Sequence, residues 1–130
     1  MEAVAETKNR GYRGLRVYQE AELLAVEIIR VTQKYPDNEV FGAVSQSRRA
    51  AVSIISNIAE GYRRYSSKEY IRFLEIAYGS CGELEAQLSL ASKVGWIDPA
   101  DYDKVAEMID TVSRWIWRLI EALRKRQGSR

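Results

Sequence analysis

A pair of glutamates, Glu83 and Glu85, lies in the stretch AYGSCGELE, where two carboxylates could in principle exchange a proton with a substrate. Residues two apart point in different directions on a helix, so the two groups would not converge on one substrate. The same stretch contains glycines, but it lacks the lysine and the preceding strand of a phosphate-binding loop. We therefore expect no catalytic site and a protein that is not an enzyme.

The amino-acid composition excludes most other kinds of reactive site. The chain contains no histidine and a single cysteine, Cys81. Zinc fingers, di-iron sites built on Glu-x-x-His, Ser-His-Asp triads and Cys-His nucleophile pairs all need residues that are missing. The sequence predicts no metal site, no cofactor and no internal disulfide.

Basic side chains with interleaved tyrosines are the remaining candidates for a functional site, as in GYRRYSSK around Arg63 and Arg64. Arginine binds the phosphates of a nucleic-acid backbone, and aromatic rings stack on its bases, which gives a sequence-tolerant site. We predict that RNA or DNA contacts nine basic residues: Arg10, Arg13, Arg16, Arg63, Arg64, Lys68, Arg124, Lys125 and Arg126.

Composition limits the architecture that positions these residues. The chain has 130 residues, 46% of them hydrophobic, and only 2 prolines, which suits one helical domain. We expect a single domain over residues 1–130, with loose ends at about 1–12 and 125–130. No segment approaches the ~18 apolar residues of a membrane span, so we expect no membrane contact and a cytoplasmic protein.

Apolar spacing of three and four residues predicts four helices and no strand. The first runs from Val17 to Tyr35 and is ended by Pro36, and the second runs from about Ala43 to Glu60. Gly61 is expected to stop the second helix in the left-handed conformation.

The third helix is expected to begin after the N-cap Ser66 and to stop at Gly95. Asp98 and Pro99 then open the fourth, which continues to about Arg124. Because short connections force neighbouring helices to reverse direction, the fold class is all-α, an antiparallel up-down-up-down four-helix bundle.

This topology places the starts of helices one and three with the ends of two and four. The basic residues then share one end, and acidic residues such as Asp37 and Asp98 share the opposite end. Instead of binding nucleic acid, the basic end could bind an acidic protein partner. It could also reflect only the ordinary preference for basic residues at helix C-termini and in soluble tails.

Small and polar residues occupy the outer sides of helices two and three, where a solvated helix would carry Lys and Glu. Two glycines inside one helix cost stability, which a closely packed neighbouring subunit would explain. We predict an oligomer interface formed by Gln46, Arg49, Ser53, Ser56, Asn57, Glu60, Gly79 and Gly82. The alternatives are that a neighbouring helix of the same bundle covers them or that they are merely neutral surface.

Arg48 lies at the edge of the apolar side of helix two, so it needs a partner if it is half-buried. We expect a structural salt bridge with Glu75, Glu83 or Glu85, in the same subunit or another.

Four segments resemble the bacterial proteins encoded within intervening sequences of 23S ribosomal RNA genes: YRGLRVYQEA, YPDNEVFG, SQSRRAAVSIISNIAEGYRR and FLEIAYGSCGELEAQL. Tyr18 and Tyr70 replace the Trp and Phe common in that family. The resemblance implies a homopentameric four-helix bundle without established enzymatic activity. The chain is also similar, more distantly, to accessory variability proteins of diversity-generating retroelements, which implies nucleic acid and a reverse transcriptase as partners.

The leading hypothesis is a non-enzymatic homo-oligomer, pentameric by resemblance, that binds nucleic acid through its basic end. It would be an accessory to an RNA-processing or reverse-transcription system. The second hypothesis is a protein–protein adaptor or scaffold without nucleic-acid contact, which would use exposed aromatic residues: Tyr62, Tyr65, Tyr78, Trp115 and Trp117.

Overall fold

The computed structural model describes residues 11–128 and confirms the all-α fold. It contains four long helices: α1 (Arg16–Thr32), α2 (Ser45–Tyr62), α3 (Ser67–Lys93) and α4 (Pro99–Gly128). A 3-10 turn at Gly11–Gly14 precedes α1, and a 3-10 turn at Asp37–Glu39 and a π-helical turn at Val40–Val44 lead into α2. No strand occurs in this described part of the chain.

The helices pack in chain order, α1 on α2, α2 on α3, α3 on α4 and α4 back on α1. The Thr32 hydroxyl at the end of α1 accepts a hydrogen bond from Arg48 near the start of α2, and Arg124 near the end of α4 bonds Glu75 in the first half of α3, as an antiparallel bundle requires. The core lies along the centre, and its largest completely buried side chains come from all four helices: Leu24, Ile28, Ile54, Ile58, Leu74, Leu84, Ile109, Ile116 and Ile120. None of the helices within residues 11–128 is long and apolar enough to cross a membrane.

The predicted signals at both ends of α3 are confirmed. The Ser66 hydroxyl accepts a hydrogen bond from the Glu69 backbone N–H at 3.1 Å, which caps the helix start. At the other end Gly95 has a φ of 81°, and the Trp96 backbone N–H donates to the Ala91 carbonyl at 2.9 Å. This left-handed stop turns the chain toward α4.

The start of α4 is also confirmed. The Asp98 carboxylate accepts a hydrogen bond from the Asp101 backbone N–H at 2.9 Å, and Pro99 is the first helical residue. At its far end α4 continues through Gly128, so the segment after Arg124, predicted to be loose, is helical as far as the structure describes it.

The prediction for Gly61 is wrong. The residue is buried inside α2, which ends at Tyr62, and Arg63 closes the helix with an ordinary right-handed φ of −81°. A Cβ atom at position 61 would lie 2.9 Å from the Phe73 Cβ and 3.2 Å from the Tyr70 carbonyl oxygen. Gly61 therefore allows α2 and α3 to approach closely, and it does not terminate a helix.

The salt bridge predicted for Arg48 does not form within the described chain. The Arg48 Nε donates to the Thr32 hydroxyl at 3.0 Å and its Nη2 to the Ile29 carbonyl at 3.3 Å, and neither partner is a carboxylate. Because Arg48 is near the start of α2, it lies beside the end of α1. The Ile29 carbonyl already accepts the Gln33 backbone N–H, so Arg48 adds a second donor there and joins the two helices.

Candidate nucleic-acid interface and subunit interface

Arginines at the predicted basic end rest on aromatic rings. The Arg16 guanidinium carbon is 5.0 Å from the centre of the Trp115 ring, which joins the start of α1 to α4. Arg13 and Arg63 share the Tyr12 ring, at 5.7 and 5.6 Å. A cation over an aromatic face is held in place by the ring quadrupole, so these arginines are partly ordered before any ligand binds.

Two further arginines of the predicted set form ion pairs. Arg64 pairs with Glu60 at 2.6 Å along α2, and Arg124 of α4 pairs with Glu75 of α3 at 2.9 Å. All four side chains are substantially exposed, so each pair contributes little stability. Both arginines also lie over rings, Arg64 over Phe73 at 4.8 Å and Arg124 over Trp117 at 5.4 Å. Because the ion pairs neutralise part of their charge, the arginines that rest on rings without an ion pair are the stronger candidates for phosphate.

The remaining predicted basic residues are exposed or lie outside the described part of the chain. Lys68 is exposed in the first turn of α3, and Lys125 and Arg126 are exposed in the last turn of α4. Arg10 lies outside the described residues.

A groove of about 310 Å³ at this end combines apolar and basic side chains and was not predicted. It is lined by Leu15, Arg16, Val17, Trp115, Arg118 and Leu119. The ring of Trp115, expected to be exposed, is half-buried here beneath Arg16. The sequence did hold one signal for this groove: Trp115 and Arg118 are three residues apart, and residues at that spacing lie on the same face of a helix.

Acidic side chains at the opposite end hold α1 and α4 together. Glu27 is buried and pairs with Arg30 at 2.8 Å and with Lys104 at 3.1 Å. Arg30 also pairs with Asp101 at 2.7 Å. The Arg30 hydrogen bond, aided by Lys104 and against the effect of burial, lowers the pKa of Glu27 to about 2.

Four of the predicted interface residues on α2 are exposed: Gln46, Arg49, Ser56 and Glu60. The remaining two are half-buried and make contacts within the chain. The Ser53 hydroxyl lies 2.8 Å from the Ser80 hydroxyl of α3, and the Asn57 amide donates to the Ser53 carbonyl at 2.8 Å. The neighbouring helix α3 thus accounts for Ser53, whereas Asn57 is bonded within its own helix. The role of the predicted residues in assembly stays a prediction.

The two predicted glycines on α3 are exposed. A Cβ atom at Gly79 or at Gly82 would meet nothing within 4 Å. The glycines are therefore not required by packing inside the bundle, unlike Gly61.

A largely exposed apolar surface at the start of α2 was not predicted. We call it the Phe41 surface, and it comprises Val40, Phe41, Val44, Ser45, Arg48, Arg49 and Val52. Phe41 is 95% exposed and Val52 48% exposed. The sequence held no periodic signal for it, because Val40 and Phe41 lie in the irregular turn before α2.

Cys81 is buried in α3, and burial raises the pKa of its thiol to about 12. A thiol in this state is a poor nucleophile and a poor metal ligand. Within residues 11–128, no group of three or more acidic or cysteine side chains is placed to hold a metal ion.

The sequence matches the profile of the 23S rRNA-intervening sequence proteins over residues 13–118. No curated protein matches it. The fold is similar to a crystal structure of a protein of unknown function from the S23 ribosomal protein family of Bacteroides thetaiotaomicron, with a TM-score of 0.75 and 23% sequence identity over 80% of this chain and 97% of that one. The match covers most of the chain, and the protein therefore belongs to the 23S rRNA-intervening sequence protein family.

Proposed function

We propose that this protein is a non-enzymatic homo-oligomer that binds nucleic acid through its basic end, as an accessory to RNA processing or reverse transcription. The family resemblance leads us to expect five copies. The basic end of each copy would contact the phosphate backbone, and assembly would multiply these contacts without changing any one of them.

The observation that carries the proposal is a set of three arginines that rest on aromatic rings and, in the described part of the chain, make no ion pair with a carboxylate. We call Arg13, Arg16 and Arg63 the ring-held arginines; the other arginines over rings, Arg64, Arg72 and Arg124, are ion-paired. Such arginines offer their N–H groups to phosphate with little loss of side-chain entropy. The nearby rings and the apolar groove at Trp115 suit unpaired bases.

Binding of labelled single-stranded RNA and DNA, measured by fluorescence anisotropy between about 50 and 200 mM salt, tests the proposal. The triple variant Arg13→Gln, Arg16→Gln, Arg63→Gln is expected to bind more weakly and to flatten the plot of log K against log salt by about one unit per lost phosphate contact. The matched control Lys34→Gln, Lys93→Gln, Arg114→Gln removes equal charge from exposed positions elsewhere and should bind like the parent.

Absence of binding at about 50 mM salt, or an affinity that ignores salt, would contradict nucleic-acid contact. Equal weakening by the two triple variants would show that net charge alone matters and that the ring-held arginines are not the site.

Exposed aromatic residues favour a second candidate function, a protein–protein adaptor or scaffold. Tyr65 is fully exposed, and Tyr62, Tyr78 and Trp117 are each about two-fifths exposed. Aromatic residues are enriched at protein interfaces. An adaptor would keep a protein partner through nuclease treatment during purification, whereas a partner held through RNA or DNA would be lost.

A further inference from the structure

The Phe41 surface leaves apolar side chains in water around one groove. Val40, Phe41 and Val52 are exposed and, with the buried Val44 at its base, line a groove of about 610 Å³ between the turn before α2 and its first two turns. Clustered apolar exposure of this kind marks an interaction site more often than isolated exposed residues do.

Charge on the Phe41 surface argues against docking on an identical surface. Arg48 and Arg49 line the groove, and no acidic side chain does. Arg49 makes no ion pair within residues 11–128. Self-docking would bring arginines of two copies together, which opposes association. The charge pattern therefore calls for a surface that carries unpaired carboxylates.

The outer side of α3 carries such a carboxylate beside open backbone. We call it the Gly79 surface, and it comprises Ile76, Gly79, Gly82 and Glu83. All four residues are exposed, and a Cβ at either glycine would meet nothing within 4 Å. Glu83 makes no ion pair in the described structure, in contrast to Glu75, which pairs with Arg124.

We propose that the Phe41 surface of one copy docks on the Gly79 surface of a second copy, with Arg49 facing Glu83. The exposed Phe41 ring would pack against Ile76 and the glycine backbone, which a close approach requires. The inference rests on the proposed assembly and names its two faces. Because the faces differ, the contact is head-to-tail, and repetition of one such contact closes a ring when its rotation permits.

Charge reversal tests the pairing. Arg49→Glu and Glu83→Arg each place like charges across the contact, and each is expected to weaken self-association by more than about tenfold in sedimentation equilibrium. The double variant restores opposite charges and should associate within about threefold of the parent. The matched controls Arg114→Glu and Glu107→Arg alter exposed residues of α4 and should leave association unchanged.

Mixing tests the head-to-tail geometry. Phe41→Asp disables one surface and Gly79→Arg the other, so each variant alone should be a monomer. An equal mixture should form dimers and nothing larger, since each pair of copies retains one intact contact. Both positions are exposed, so neither change disturbs the core, and circular dichroism should show unchanged helicity.

The outcomes separate this inference from the proposed function. A parent protein that stays at 14.9 kDa at every concentration would contradict both the assembly and its faces. A parent that assembles while the single charge reversals have no effect, or while the double variant is not rescued, would overturn the docking faces alone. Failure of the mixture to dimerise would do the same.

Discussion

Glu27 is a buried acid that binds two basic residues on different helices. Its carboxylate accepts hydrogen bonds from Arg30 at 2.8 and 2.9 Å and lies 3.1 Å from Lys104 of α4. A buried carboxylate that loses such partners leaves an uncompensated charge, so these contacts matter more than the exposed pairs at the basic end. Arg30 extends the network to Asp101, whose pKa it also lowers.

Replacement of this acid should change how stability depends on pH. Hydrogen bonding to Arg30 lowers the pKa of Glu27 from its ordinary 4.5 to about 2 in the folded state. A depressed folded pKa gives stability that is complete above the unfolded pKa and is lost as pH falls through the folded one. At neutral pH, Glu27→Gln should therefore lower the free energy of unfolding by about 1 to 3 kcal/mol.

Urea unfolding from about pH 7 to about pH 2 measures this effect. The difference between parent and Glu27→Gln should persist down to about pH 5 and shrink steadily below it. Glu121→Gln, at an exposed position of α4, is the control and should follow the parent throughout. A difference that stays constant down to the lowest pH would show that the ionised carboxylate is not the cause.

At the scale of helices, the glycines of α2 and α3 serve opposite purposes. Gly61 is buried where α2 meets Tyr70 and Phe73 of α3, whereas Gly79 and Gly82 face open space. Alanine is intrinsically the better helix former by about 1 kcal/mol, so propensity alone would favour alanine at all three positions. Packing at Gly61 opposes this preference.

Gly61→Ala should destabilise the bundle by about 1 to 3 kcal/mol, because its Cβ would press on the Phe73 Cβ and the Tyr70 carbonyl. Gly79→Ala is the matched control in the same helix pair and should stabilise the dissociated chain by about 0.5 to 1 kcal/mol. Urea unfolding at a protein concentration too low for association measures both. Equal stabilisation by the two substitutions would contradict the close approach at Gly61.

Helix ends were predicted correctly from sequence where the residue that ends or caps the helix acts only on backbone groups a few positions away. Ser66, Gly95 and Asp98 function as expected because capping depends on the neighbouring backbone alone. Gly61 was misassigned, and Arg48 does not pair with the predicted carboxylate within the described chain, because the contacts of both residues depend on another helix. The sequence does not distinguish a glycine that ends a helix from one that lets another helix approach closely. Nor does it show whether an arginine will donate to a backbone carbonyl or to a carboxylate.

For the whole molecule, antiparallel order sufficed to predict a basic end and an acidic end. Contacts such as Arg16 with Trp115 and Arg30 with Asp101 join the helices at the two ends as that order requires. Sequence could not show which of the arginines that rest on rings also pair with carboxylates, because side chains from different helices meet there. It also missed the Phe41 surface, since exposure of an apolar residue depends on all four helices.

Photo-crosslinking of bound RNA, with mass-spectrometric identification of the linked residues, tests the basic end most directly. Aromatic residues that reach solvent lie at both ends of the bundle, which gives the experiment an internal control: Tyr12 contacts Arg13 and Arg63 at the basic end, while the exposed Phe41 and the half-buried Trp96 lie at the acidic end. We predict crosslinks at Tyr12, Tyr65 or Trp115 and none at Phe41 or Trp96. Crosslinks confined to Phe41 and Trp96 would contradict nucleic-acid contact through the basic end.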